Sequence, residues 1–288
     1  MLWRFINRYK ECNILKKHRF KYFIIRTISY TQYNNTIQKK DSNYYLYDLY
    51  KSLETCKNGH ELYKLSRKTL KYQIYDLYIW RIIEQKFYDL HMQLQPKEIS
   101  SIINYFKQMK IVDSKIYENS INIILSSINS YSLHDLSVIC LSYVYLKKIN
   151  ILFMNKIANA IIKLYEEDKK NIPNLNKNEL SKYFISYVHI IGAYGQIKQK
   201  NIELFKIASV YIYAALNTEI LIPPKFIIKI VNSYFDVKIK HSKIFDLIAK
   251  QIPTIKITDE ELKTIKQHFD ALKYFNETLD KYIQYRLL

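Results

Sequence analysis

The sequence repeats one spacing, in which an aliphatic residue is followed seven positions later by an aromatic residue. A second aliphatic–aromatic pair comes some ten to twenty positions further on, as Leu152-Phe153 does after Tyr143. The complete instances join Ile99 with Phe106, Leu136 with Tyr143, Leu180 with Tyr187, and Ile227 with Tyr234. Seven residues make nearly two helical turns, so both members of a pair lie on one helical face. The recurrence therefore predicts repeated helical hairpins.

Glycine and proline are scarce, with 3 and 5 among 288 residues, which argues against a many-stranded β fold. Because one hairpin cannot bury its own apolar stripes, we predict an all-α fold, an α-solenoid of stacked helical hairpins. About four to six repeats of roughly 35–47 residues fit the chain. The predicted divisions are a leader and flexible arm at 1–40, N-terminal helices forming a degenerate capping repeat at 41–95, the repeat array at 96–255, and C-terminal capping helices at 256–288.

Positive charge is concentrated at the start of the chain. Of the formal net charge of +19, residues 1–40 contribute +9, from ten Lys and Arg against the single acid Glu11. Leu2, Phe5 and Ile6 share one helical face in this segment, while Arg4 lies elsewhere on the helix. An acid-poor, arginine-bearing amphipathic segment predicts a mitochondrial presequence and a location in the matrix. A basic arm that binds RNA is the second interpretation.

Several classes of protein are not indicated by the sequence. The longest uncharged apolar run, residues 183–197, is shorter than the roughly 20 residues of a transmembrane helix, so no transmembrane segment is predicted. The three cysteines are isolated and predict neither a disulfide framework nor a metal site. No catalytic motif stands out, so we predict a non-enzymatic protein without a cofactor. The acids at 259–261 with Lys263 resemble a nuclease element, but carboxylates also favour helix N-termini, and we prefer that second interpretation.

Lysines follow the aromatic residues at a fixed offset of four, from Phe106 to Lys110 and from Tyr143 to Lys147. The predicted RNA-binding residues are Lys107, Lys110, Lys147, Lys148, Lys198, Lys200, Lys238 and Lys240. If the hairpins stack in parallel, these lysines form a line along one edge and can follow a phosphate backbone. The competing interpretation is that lysines simply favour helix C-termini for reasons of the helix dipole.

Aromatic residues offer a second possible mode of binding. Tyr145, Tyr187 and Tyr234 could stack on bases, as aromatic side chains do in single-strand binders. Helical spacing also places Tyr187 and Tyr234 on the apolar stripe, which predicts that these two belong to the core. His189, beside Val188 and Ile190, is interpreted as a core residue whose hydrogen bonds are satisfied.

The repeat unit resembles a known family. Its pattern begins with an aliphatic residue, a Ser, five variable residues and an aromatic residue. A short basic turn follows, and then Leu-Phe-x-x-x-Ala-x-x-Ile, and the best matches are at 136–162 and 227–252. It resembles the heptatricopeptide-type helical repeat of organellar RNA-binding proteins, which often carry a C-terminal RAP domain. The resemblance covers residues 97–270. Residues 258–288 are too few for a RAP domain and have a helical pattern, so the resemblance implies no nuclease-like role for this chain.

Two functions remain open from the sequence. The first is binding of organellar RNA, with ribosomal RNA and ribosomal or other mitochondrial proteins as partners, by a mitochondrial ribosome component or an RNA-stabilising factor. The second is a protein-interaction scaffold, such as an accessory subunit of a respiratory complex or ATP synthase, because a helical array offers an extended surface to any ligand.

Overall fold

The computed structural model describes residues 39–218 and 220–287. Within these residues every regular element is a helix, so the all-α prediction is confirmed. The leader prediction lies outside the described residues, except for its last two positions. The chain divides into a unit that ends at Thr55 and a unit that spans Cys56–Leu288. The first unit contains one described helix, α1 (Lys39–Thr55).

The described part of the second unit contains twelve α-helices, arranged as six successive pairs. The first helices of the pairs are α2 (Gly59–Lys71), α4 (Pro96–Gln108), α6 (Leu133–Tyr145), α8 (Lys177–Gln196), α10 (Pro224–Asp236) and α12 (Asp259–Ala271). The second helices are α3 (Leu77–Leu90), α5 (Ile116–Ser126), α7 (Ile151–Asp168), α9 (Ile202–Leu216), α11 (Ser242–Gln251) and α13 (Glu277–Leu287).

Helices two positions apart in the chain pack side by side, which gives the second unit two layers. In the first layer the even-numbered helices from α2 to α12 contact one another in order. In the second layer the odd-numbered helices from α5 to α13 do the same. Neighbouring first-layer helices run parallel wherever a contact fixes their direction. Ser100 near the start of α4 donates a hydrogen bond of 2.9 Å to Asp135 near the start of α6. Gly195 and Ser233 meet near the ends of α8 and α10. These are the neighbour relations of stacked helical hairpins.

Side-chain caps explain where several of these helices begin. Ser132 and Asp135 form a capping box at α6, in which each side chain accepts a hydrogen bond from the other residue's backbone N–H. Asn176 with Glu179 forms the same box at α8, and Thr258 with Glu261 forms it at α12. Each box satisfies backbone N–H groups that a helix N-terminus leaves without partners. The acids at 259–261 therefore lie at a helix start, where Glu261 is a capping residue.

Buried aromatic residues join each hairpin to the one before it. The hydroxyls of Tyr143 in α6 and Ser120 in α5 share a hydrogen bond of 2.7 Å. Tyr194 of α8 bonds the carbonyl of Met154 in α7 at 2.6 Å. Where the aromatic is phenylalanine, ring packing replaces the bond, with centroids 4.8 Å apart in both Phe106–Trp80 and Phe269–Phe245. Tyr234 of α10 contacts Phe205 of α9 in the same way, at 5.3 Å. We call Phe106, Tyr143, Tyr194, Tyr234 and Phe269 the anchor aromatics.

One anchor differs from the sequence prediction. In α8 the structural equivalent of Tyr143 is Tyr194, not Tyr187, because Tyr194 makes the contact with the preceding hairpin. Tyr187 lies two turns earlier and stacks on Tyr211 of α9, within its own hairpin, with ring centroids 4.6 Å apart. The sequence pattern gave the wrong residue because α8 has 20 residues, whereas α4 and α6 have 13 each. An extra aliphatic–aromatic pair fits on the added turns.

Candidate anion-binding surfaces

All six first-layer helices end in the same backbone motif. After α6, the N–H of Lys147 donates to the carbonyl of Val144 at 3.1 Å, and the N–H of Lys148 donates to the carbonyl of Tyr143 at 3.0 Å. This pair of bonds defines a Schellman motif, which requires a left-handed residue just beyond the helix. The left-handed residues are Gln73 (φ 50°), Lys110 (55°), Lys147 (57°), Lys198 (53°), Lys238 (54°) and Lys273 (55°). We call these six positions the turn edge.

The choice of residue at the turn edge is unusual. Glycine is the common residue at this position, because a side chain in the left-handed conformation costs roughly 1–2 kcal/mol. Here five of the six residues are lysines and the sixth is Gln73. All six side chains are exposed. Because the first-layer helices are parallel neighbours, their ends place these side chains along one edge of the second unit.

The offset of four between aromatic and lysine has a structural cause. The anchor aromatic is the residue whose carbonyl closes the Schellman motif, and the left-handed residue always follows it by four positions. The same rule pairs Tyr194 with Lys198 and Phe269 with Lys273. Sequence reasoning missed Lys273, although Phe269 four positions earlier was the signal that could have found it.

The remaining predicted lysines lie in different surroundings. Lys240 donates a hydrogen bond of 2.6 Å to the carbonyl of Lys273, which shows that the turns after α10 and α12 touch. Lys148 is half-buried and lies 3.7 Å from Glu118, and Lys200 is exposed beside Lys198. Lys107 does not lie at the turn edge, because it precedes Lys110 by almost one helical turn.

Large apolar side chains are interleaved with the lysines of the turn edge. Tyr145 is 56% exposed just before Lys147, and Leu152 is 77% exposed at the start of α7. Phe275, 72% exposed, follows Lys273. Tyr187 and Tyr234 are buried, so the core interpretation is confirmed for both. Among the three tyrosines considered for base stacking, Tyr145 is the one on the surface.

A second group of cations lies on the first layer. We call Lys107 (α4), His134 (α6), His189 (α8), Lys225 and Lys229 (α10) the basic cluster. The stem of Lys229 crosses α8, because a Cβ placed on Gly192 would lie 2.9 Å from its Cδ. The ring of His189 packs against Phe226 with centroids 5.9 Å apart, and the Nζ of Lys225 lies 5.4 Å from the centre of the same ring.

Burial and neighbouring cations lower the pKa values of Lys107, His189 and Lys229. Burial is the first cause of the lowered pKa of Lys107, and the charge of Lys229 is the second. Burial also lowers the pKa of Lys229, with a further contribution from Lys225. Burial, and then the charges of Lys229, Lys107, His134 and Lys225, lower the pKa of His189 to about 4. The charge of Lys229 reaches Lys107 although α6 and α8 lie between their helices in the first layer.

His189 differs from its sequence interpretation. It is half-buried, and its Nδ1 atom is buried without a hydrogen-bond partner. The prediction of a satisfied core histidine is therefore wrong. Its neighbours Val188 and Ile190 are fully buried, and this apolar flank hid the fact that the imidazole lies on another face of α8.

Residues 39–218 and 220–287 also contain cysteines and other side chains of the types that bind metals. Cys56 and Cys140 are buried free thiols. In this part of the chain no group of three or more His, Cys, Asp or Glu side chains is placed to hold a metal ion. No helix there combines the length and the apolar character needed to cross a bilayer.

A glycine in place of Lys147 tests the energetic cost of the turn edge. Lys147→Gly is expected to raise the free energy of unfolding by about 0.5–1 kcal/mol, because glycine adopts the left-handed conformation without a Cβ clash. Urea denaturation measures the change. The control is Lys206→Gly in the interior of α9, which is expected to lower the free energy of unfolding by about 1 kcal/mol. A loss of stability in Lys147→Gly would contradict the assigned conformation.

No protein-family model matches this chain, and a search of curated proteins finds no significant match.

Proposed function

We propose that this chain is a non-enzymatic helical-repeat protein of the mitochondrial matrix that binds organellar RNA, with ribosomal RNA as the first candidate. It would act as a component of the mitochondrial ribosome or as an RNA-stabilising or assembly factor. The observation that carries the proposal is the turn edge, where five exposed lysines occupy equivalent positions. The basic, amphipathic segment at 1–40 supports the compartment.

The geometry of the turn edge suits a polyanion. Neighbouring packed helices lie roughly 8–10 Å apart, so equivalent residues form a row at about that spacing. A row of cations neutralises successive phosphates and releases their counterions, which gives affinity with little preference for sequence. Tyr145 and Phe275 add exposed rings on which bases can stack.

The experiment replaces all five lysines of the turn edge with glutamine. Gln73 already occupies the equivalent position after α2, so glutamine removes the charge and keeps the turn. Binding of a 20-nucleotide single-stranded RNA is measured by fluorescence anisotropy at several salt concentrations. Each lost phosphate contact is expected to flatten the slope of log affinity against log salt by about 0.7. Affinity near 0.1 M salt is expected to fall by roughly 100-fold or more.

The control removes the same charge from the opposite ends of the helices. It carries Lys→Gln at five exposed positions, namely Lys97, Lys163, Lys182, Lys250 and Lys263. This variant is expected to retain most of the affinity and the salt slope. Wild-type protein that shows no salt-sensitive RNA binding would refute the proposed function. Equal losses in the two variants would refute the turn edge as the binding surface.

The exposed apolar residues favour a protein partner as a second candidate function. Leu152, Ile202 and Phe275 follow residues of the turn edge by two to five positions in the chain, and each is more than 65% exposed. Aromatic and aliphatic side chains of this kind are the usual anchors of protein interfaces. Affinity purification from mitochondria with and without ribonuclease separates the candidates. Stable recovery of respiratory or synthase subunits without ribosomal RNA would favour a scaffold.

A further inference from the structure

The basic cluster brings cations from four helices to one place, although they are far apart in the sequence. Lys107 lies in the last turn of α4, and Lys225 and Lys229 lie in the first half of α10, with α6 and α8 between them. His189 and Gly192 are almost one turn apart in α8, and Lys229 crosses the helix at Gly192. A larger side chain there would displace Lys229, so Gly192 gives the lysine its path to the cluster.

The cluster lacks a compensating negative charge. Within residues 39–218 and 220–287, none of its five side chains forms an ion pair with a carboxylate. Lys107, Lys229 and His189 are half-buried, and the imidazole Nδ1 has no partner. Placing partly desolvated like charges together destabilises a protein unless an anion joins them. The arrangement is therefore that of a site whose ligand supplies the missing charge.

We propose that the basic cluster binds a phosphomonoester, with Lys107, His189 and Lys229 contacting its oxygens and Lys225 and His134 at the rim. A phosphomonoester carries about −1.5 to −2 charges and three acceptor oxygens on one centre, which matches several donors converging on one point. A phosphodiester backbone spreads single charges along a line, which matches the turn edge instead.

The position of the cluster indicates which phosphomonoester is relevant. Lys107 lies in the last turn of α4, three residues before Lys110 of the turn edge. An RNA bound along the turn edge can therefore place its 5′-phosphate in the cluster. This assignment to an RNA end rests on the proposed function, whereas the phosphate site itself does not. A free phosphorylated small molecule is the other source of the same chemical group.

The experiment uses the full chain and three probes. These are a 12-nucleotide RNA with a 5′-phosphate, the same RNA with a 5′-hydroxyl, and adenosine monophosphate. The 5′-phosphate is expected to increase the affinity of the wild-type protein for RNA by about tenfold. Lys229→Gln and Lys107→Gln are each expected to remove this preference, and Lys206→Gln, which takes one exposed charge from α9, is expected to keep it. Thermal melts confirm that the variants are folded.

A direct readout follows the imidazole of His189 by NMR. Its pKa is expected to rise from about 4 when adenosine monophosphate or phosphorylated RNA is added, because a bound anion favours the protonated ring. Charged groups facing the ring are Lys107 from α4, His134 from α6, and Lys225 and Lys229 from α10. The same titration in Lys229→Gln is expected to show a smaller rise.

The outcomes separate this inference from the proposed function. Loss of RNA binding in the turn-edge variant, with adenosine monophosphate still bound through Lys107 and Lys229, would support both. Binding of adenosine monophosphate without any RNA binding would support the site and assign it to a free phosphomonoester, while refuting the proposed function. RNA binding that ignores the 5′-phosphate, together with no response of His189 to adenosine monophosphate, would overturn the site and leave the function standing.

Discussion

Replacing Tyr143 with alanine is expected to lower the free energy of unfolding by about 4 kcal/mol, the largest effect among single substitutions considered. The side chain is fully buried between two hairpins. Its ring packs edge-on against Tyr117, with centroids 5.7 Å apart, and at a tilt against Phe153, with centroids 4.8 Å apart. Its hydroxyl is hydrogen-bonded to Ser120. Alanine would leave a cavity at the junction and remove the Tyr143 partner of the Ser120 hydroxyl, although Ser120 keeps its hydrogen bond to the carbonyl of Ile116. Urea denaturation followed by circular dichroism measures the loss.

Two control variants divide this effect into its parts. Tyr143→Phe keeps the ring and removes the bond to Ser120, so it is expected to cost only about 1 kcal/mol. Tyr145→Ala, two positions away on the exposed face of α6, is expected to change the free energy of unfolding by less than about 0.5 kcal/mol. Equal losses for Tyr143→Ala and Tyr145→Ala would mean that the anchor aromatics do not hold the hairpins together.

Gly195→Ala is expected to lower the free energy of unfolding by about 2 kcal/mol, despite the higher helix propensity of alanine. A Cβ at this position would lie 2.9 Å from the Cα of Ser233, so α8 and α10 would have to move apart. The contact involves backbone, which cannot rotate out of the way as a side chain can. Thermal or urea unfolding measures the loss.

The matched control is Gly192→Ala in the same helix, one turn earlier. Its Cβ would meet the flexible stem of Lys229 at 2.9 Å, and this side chain can rotate away. The gain in helix propensity, about 1 kcal/mol, then offsets the contact and leaves stability unchanged or slightly higher. A large loss in Gly192→Ala, or none in Gly195→Ala, would contradict the packing of α8 on α10.

The repeated elements were predictable because their causes are local. A spacing of seven residues places two side chains on one helical face whatever the partner, so the aliphatic–aromatic pairs predicted the first helices of the hairpins. The lysine four positions after Phe106 or Tyr143 reflects the Schellman motif, which also depends on a few consecutive residues. The row of lysines along the turn edge could therefore be predicted from the sequence.

The misplaced anchor in α8 shows where local patterns fail. Leu180 with Tyr187 fits the aliphatic–aromatic spacing, whereas the residue seven positions before Tyr194 is the aromatic Tyr187, so the pattern favours Tyr187 over Tyr194 as the anchor of α8. Only the contact of Tyr194 with the preceding hairpin identifies it as the anchor. That contact depends on the stacking of hairpins, which a seven-residue window does not contain.

The basic cluster lay beyond sequence reasoning for a similar reason. Lys107 and Lys229 are separated by more than a hundred residues in the sequence, and their proximity depends on how α4, α6, α8 and α10 pack side by side. Lys107 is among the RNA-binding residues that the sequence predicts, but the sequence does not indicate that it lies near His189. The partial burial of His189 and its unpaired Nδ1 depend on residues of other helices, whereas the sequence shows only its apolar neighbours in α8.

At the turn edge the surface charge and the packing of the helices do not depend on each other, although in many proteins they do. Every bond that closes a Schellman turn here is made by backbone atoms, and the left-handed side chain contributes none of them. Gln73 and Lys147 hold nearly the same φ, which shows that the turn accepts a neutral or a charged residue alike. Mutation can therefore adjust the charge of this edge one hairpin at a time, while the packing of the array is inherited unchanged.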